Sequence, residues 1–192
     1  PRSTLFPYTT LFRSGQFVSR LNLNLREDKG YTYGARSRFG FAAASGSFAA
    51  SAPVETRVTA AALREIVAEL DGVAGARPLS AEELAYAQGS LVNGYARRFE
   101  TPDQILRELL DVYLYGLPDD ELETLPGRIR AVTAADVAEA GARHIRTDRL
   151  AVVIVGDAAA VRPDLEALGL GAIVRLDSDG CPLPDATRPP GD

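Results

Sequence analysis

GQFVSRLNLNLREDKGYTYG, residues 15–34, sets leucines at 21 and 25 on one face of a helix and then breaks that helix at Gly30 before a segment with strand character. Arg26 and Tyr33 bracket the break, seven residues apart. A guanidinium at the end of a helix and a phenol at the start of the next strand converge on one side of such a corner. Together they offer hydrogen-bond donors to a peptide carbonyl.

The same stretch carries a longer pattern, S-R-L-x-x-x-L-R-E-x-K-G-x-x-Y-G, as Ser19, Arg20, Leu21, Leu25, Arg26, Glu27, Lys29, Gly30, Tyr33 and Gly34. This resembles the Arg/Tyr segment in the C-terminal, non-zinc half of M16 (pitrilysin/insulinase-type) zinc peptidases. The resemblance extends from Gly15 to about Asp179. It implies one half of a pseudo-repeated pair that closes like a clamshell, with the opening strands and first helix of that half expected before Gly15. Arg26 and Tyr33 would then be catalytic in the sense of substrate positioning, delivered across the cleft. Tyr31 is a rival phenol, and the seven-residue spacing selects Tyr33. The alternative for the pair is structural, with Arg26 in a surface ion pair and Tyr33 packed on the sheet.

Downstream, Tyr33–Phe41 and Gly46–Pro53 alternate small, polar and aromatic residues and predict two antiparallel strands around Ala43–Ser45. Val54–Asp71 shows an apolar stripe of Val58, Ala62, Leu63, Ile66, Val67 and Leu70, a helix laid on a sheet and ended by Gly72, Gly75 and Pro78. Three capping boxes announce further helices: Ser80 with Glu83, Thr101 with Gln104 and Thr133 with Asp136. Pro102 adds a first-position proline. The helices predicted from them cover 80–98, 102–115 and 133–145, with a shorter one over 120–131. Leu150–Val155 is a continuous apolar run, expected as a strand covered on both faces. Gly156 and Asp157 end it, a short helix follows, and Ala172–Leu176 is a candidate edge strand. The fold class is α+β, an antiparallel or mixed sheet with helices mainly on one face.

Thr4–Ser14 reads TLFPYTTLFRS, which looks like translated sequencing-adapter sequence, and 1–14 is set aside as an artefactual prefix. A Phe/Leu/Tyr-rich strand is the alternative. The domain is placed at 15–177, and 178–192, rich in Pro, Asp and Gly, is expected as a loose tail. The chain holds 21 basic and 26 acidic residues, a net charge of −5; without Arg2 and Arg13 the balance is 19 to 26, or −7. No basic stripe marks a nucleic-acid partner. No apolar run is long enough to span a bilayer. One cysteine, Cys181, gives neither an internal disulfide nor a thiolate zinc cluster.

The resemblance places the family's inverted H-x-x-E-H zinc helix in the other half, and nothing here matches it. No cofactor is expected in this chain, with zinc in the partner half. The implied partners are that zinc-bearing half, upstream on the same chain or on a separate subunit, and a peptide substrate. The function so implied is the substrate-cleft half of an M16-type zinc metallopeptidase, inactive alone; the alternative is a non-catalytic scaffold or peptide-binding relative. His144, the single histidine, is expected as a half-buried ring near a helix end. Arg97 and Arg98 with Glu100 are expected at a solvated helix end. Compartment is open, with bacterial periplasm or cytoplasm suggested by the resemblance.

Overall fold

A computed structural model describes residues 20–41 and 46–183. The reading of 1–14 as a prefix, Ser19 of the helix pattern, the turn at 43–45 and the end of the tail lie outside them. The first described element, α1, is a turn of α-helix, Arg20–Asn22, that widens into a π-helix, Leu23–Asp28. It leads into β1 (Arg36–Phe41), which pairs antiparallel with β2 (Gly46–Ser51) from Arg36 opposite Ser51 to Phe41 opposite Gly46. Phe39 stands opposite Phe48 with ring centroids 4.8 Å apart, a cross-strand pair that fixes the register. The strand period turns Ala35 and Ser37 inward and leaves Arg36 and Arg38 exposed.

The 54–71 helix begins as a 3-10 turn, Thr56–Val58, and continues as α2, Thr59–Asp71. Gly72 does not end it. The chain relaxes into a π turn, Gly72–Ala76, before Arg77 and Pro78 stop it, because a glycine tolerates helical φ and only the proline forbids it. Leu21 and Leu25 of α1, Ala35 and Ala62 form a buried cluster, closed by Tyr31, Ala50, Ala52, Val54 and Ile66. Helices α1 and α2 thus lie against one face of the hairpin.

All three capping boxes are closed in both directions, at Ser80/Glu83, Thr101/Gln104 and Thr133/Asp136. They start α3 (Ala81–Tyr95), α4 (Pro102–Tyr115) and α6 (Ala134–His144), while α5 spans Glu121–Ala131. Pro126 sits inside α5 and lacks the N–H that would bond to the Leu122 carbonyl four residues back. The Tyr95 hydroxyl supplies the missing donor at 2.7 Å. At the other end, Gln88 Nε2 donates to the carbonyls of Ile129, Arg130 and Val132, so α3 grips both ends of α5. Leu125, Ile129, Val132, Val137 and Ile145 are buried as well.

Two expectations are corrected. Leu150–Val155 pairs with no strand among the described residues and is not covered on both faces; Val153 is 83% and Val155 96% exposed. Apolar composition marks a segment fit for a sheet, but the ladder requires a neighbour that composition does not provide. Arg98 does not stand at a solvated end either. It reaches Glu108 of α4 with an Nε–Oε1 hydrogen bond of 2.8 Å and lies 5.6 Å over the Tyr95 ring. The Gly156–Asp157 turn serves α7 (Ala158–Leu168), where Asp157 Oδ1 accepts from the N–H groups of Ala159 and Ala160. Over 172–176 the described residues give a single bridge, Leu176 to Pro182, closing a turn around Gly180.

Candidate functional site

The site is the corner from α1 to β1, and its geometry follows from how α1 ends. Gly30 adopts φ +64°, the left-handed conformation open to a residue without Cβ. Gly30 N–H donates to the Arg26 carbonyl at 3.2 Å and Tyr31 N–H to the Leu25 carbonyl at 2.8 Å. These two bonds nest as in a Schellman ending but each reaches one residue further back, in keeping with the π-helical turn before them, and the residue after the glycine folds back onto the helix. Tyr31 accordingly packs against the cluster that contains Leu25, itself 0% exposed. The rival phenol is thereby committed to the core.

Beyond Tyr31 the chain is pinned from two sides. The Asn22 side-chain oxygen, buried, accepts from Ala35 N–H at 2.6 Å. Thr32 is buried too; its hydroxyl donates to the Pro53 carbonyl at 2.6 Å and accepts from Gly34 N–H at 3.1 Å. Tyr33 lies between these anchors with its side chain directed outward, 96% exposed. It does not pack on the sheet. Arg26 lies on the π-helical segment, partly exposed, with Nε 3.3 Å from Glu27 Oε1. The surface ion pair expected for Arg26 is therefore present, and it lies at the solvent boundary, where such pairs are weak.

The helix that carries Arg26 is fastened below the corner as well. Asn24 Nδ2 donates to Glu65 Oε2 at 3.0 Å and Glu69 Oε1 at 2.8 Å. Glu69 is buried, and Arg77 Nη2 approaches its other oxygen at 2.7 Å, close enough for an ion pair but off the direction of a hydrogen bond. Arg20 clamps the start of α1 to α3. It donates to both Glu83 oxygens at 2.6 Å and to the carbonyls of Arg77 and Pro78. The Arg20 guanidinium, with smaller help from the Ser80 amide, lowers the Glu83 carboxyl to about 2. A lowered folded pKa stabilises above the unfolded carboxylate range and is lost as pH falls. The melting temperature of the wild type should therefore exceed that of Glu83→Gln at neutral pH, with the gap closing between pH 4.5 and about 2. A gap constant across that range would show that the clamp contributes nothing to stability.

Asn22, Thr32 and Asn24 are positioning residues that helix and strand patterning passed over. Their signal in the sequence is small: two asparagines alternating with three leucines over 21–25, and a threonine between two tyrosines. Among the described residues no group of three or more His, Cys, Asp and Glu side chains is arranged to hold a metal ion. The described donors do not fit a zinc centre. His144 is half-buried at the end of α6, its pKa pushed down by burial and then by the charge of Arg143. No described helix is long and apolar enough to cross a membrane.

Residues 9–91 match the family model for the peptidase M16 inactive domain. A search of curated protein sequences gives no match. Among solved structures, the peptidase M16 inactive domain from Pseudomonas fluorescens superposes with a TM-score of 0.66 at 22% identity, covering 74% of this chain and 34% of that one. The inactive peptidase domain of a candidate zinc protease from Bordetella parapertussis gives 0.61 at 19%, covering 75% and 77%. A conserved protein from Enterococcus faecalis V583 gives 0.58 at 21%, covering 73% and 32%. The chain thus spans about a third of the length of two of these structures. At such identities the likeness is one of fold. The M16 inactive-domain sequence pattern thus runs through helix, corner and hairpin, and over three quarters of its length the chain is similar in fold to M16 inactive domains.

Proposed function

We propose that this chain is the non-zinc side of the substrate cleft of an M16-type zinc metallopeptidase, and that Arg26 and Tyr33 act there on an extended peptide. The observation that carries the reading is Tyr33, an aromatic side chain 96% exposed between two backbone anchors. A phenol in that setting contributes little to folding, and the corner holds its backbone ready for a ligand. The zinc belongs to the other half, and this chain's part is confined to holding and hydrogen bonding the substrate. Arg26 offers its planar fork to a substrate carbonyl. The Tyr33 hydroxyl donates to the carbonyl oxygen that gains negative charge during hydrolysis, a contact worth more in the transition state than in the bound substrate.

The test is made on the assembled protease, with this chain joined to its zinc-bearing half. Arg26→Ala should lower kcat/KM for an internally quenched extended peptide by roughly ten- to a hundredfold, the range of a charged hydrogen bond. Zinc content, measured by atomic absorption, should not change. Wild-type turnover in the variant would remove Arg26 from the site. Peptide binding without hydrolysis by any assembled pair would favour the scaffold reading instead.

A further inference from the structure

The outer face of the hairpin is built from small residues and two arginines. Arg36, Arg38 and Gly40 of β1 are turned away from the core, opposite Ser51, Ala49 and Ser47 of β2, and all of them are exposed. None of these neighbours is acidic, although a charge on an exposed strand is ordinarily balanced across the ladder. Arg36 and Arg38 have no ion-pair partner among the described residues. Helices α1 and α2 take the other face, through Ala35 and Ala50. A further strand would join such a sheet at an edge, in its plane. A further helix is held on a sheet by apolar side chains, and this face offers it little beyond Ala49.

We propose that Arg36 and Arg38 set the substrate class, by taking the carboxylates of an extended peptide that carries Asp or Glu at alternate positions beside the scissile bond. The inference rests on the reading of Arg26 and Tyr33 as the site, which says where the peptide runs. Arg36 comes three residues after Tyr33, on the strand into which the corner leads. Side chains on one face of an extended chain stand about 6.6 Å apart, in β1 and in a bound peptide alike. Carboxylates two residues apart therefore meet both guanidiniums at matching spacing, while adjacent carboxylates point to opposite faces. Each guanidinium can grip its carboxylate as a planar fork. The small residues opposite leave room for the peptide to lie close. In a chain with a net charge of −5, these two cations draw an acidic segment to one place.

The assembled protease is assayed on internally quenched peptides that differ only in a trio placed on either side of the scissile bond in turn: Glu-Gln-Glu, Glu-Glu-Gln, Gln-Gln-Gln and Lys-Gln-Lys. On one side, Glu-Gln-Glu should exceed Gln-Gln-Gln by about three- to tenfold in kcat/KM, through KM, and Glu-Glu-Gln should fall between them. Arg36→Glu with Arg38→Glu should reverse the order in favour of Lys-Gln-Lys, which a purely structural pair would not do. Arg36→Lys with Arg38→Lys should keep it. If the double reversal does not fold by circular dichroism, Arg36→Gln and Arg38→Gln decide, each expected to remove part of the preference. Equal cleavage of acidic and neutral peptides overturns the proposal, as does a preference unchanged in the variants or adjacent carboxylates serving as well as alternate ones. In each of those cases Arg26→Ala still lowers turnover if the site is right. Should Arg26→Ala and Tyr33→Phe both leave turnover at the wild-type level, the site reading falls and this inference falls with it.

Discussion

Tyr33→Phe in the assembled protease is expected to lower kcat by about a hundred- to a thousandfold, the usual cost of one oxyanion donor, while the melting curve of this chain stays where it is. The second half of that expectation is what makes the first informative. Tyr33 is 96% exposed, and removing its hydroxyl leaves no buried group unpaired. A loss of turnover therefore cannot be assigned to a weakened fold. If the contact is formed only as the carbonyl gains charge, kcat falls and KM holds; a rise in KM alone would make Tyr33 a ground-state binding residue. Single-turnover kinetics on a quenched peptide, beside thermal melts of both chains, would make the distinction. Full activity in the phenylalanine variant would withdraw the transition-state role. The same substitution at Tyr31 should behave differently, because that ring is packed on the core.

Leu25→Ala should cost about 2–5 kcal/mol of stability, the range for a fully buried leucine truncated to alanine. Leu25 is 0% exposed. It holds Leu21, Ala35 and Ala62 in one cluster, and its carbonyl receives the Tyr31 N–H that closes the helix. The cavity left by the substitution would lie directly beneath the corner, since Tyr31 rests on that cluster. A second effect is thus expected, greater mobility at Gly30–Ala35 and a loss of turnover beyond what the unfolded fraction explains. Urea unfolding followed by circular dichroism gives the first quantity, and hydrogen exchange at the Ala35 amide gives the second. A stability change under about 1 kcal/mol would mean that α1 does not pack on the hairpin as described.

The legible parts of this protein are those fixed within a few residues. A capping box joins positions three apart, so Ser80, Thr101 and Thr133 announce their helices without reference to anything distant. The hairpin register follows from alternation and one aromatic pair. The π widening of α1 has no such signal, because the extra residue per turn is accommodated by packing and not by composition. The chain neighbours of Arg98 carry no sign of its partner, Glu108, which sits on the next helix.

Taken alone, the amino-acid order settled where the helices start, that Gly30 closes α1, and that a guanidinium and a phenol flank the turn. Each of these is a choice among local backbone states, made by side chains within hydrogen-bond reach of their own peptide groups. Packing in three dimensions settled the rest: which tyrosine the core takes, how Asn22 and Thr32 hold the corner from 13 and 21 residues away, and that Leu150–Val155 pairs with neither described strand. These depend on contacts between distant segments, and a strand in particular has no hydrogen-bond partner within itself.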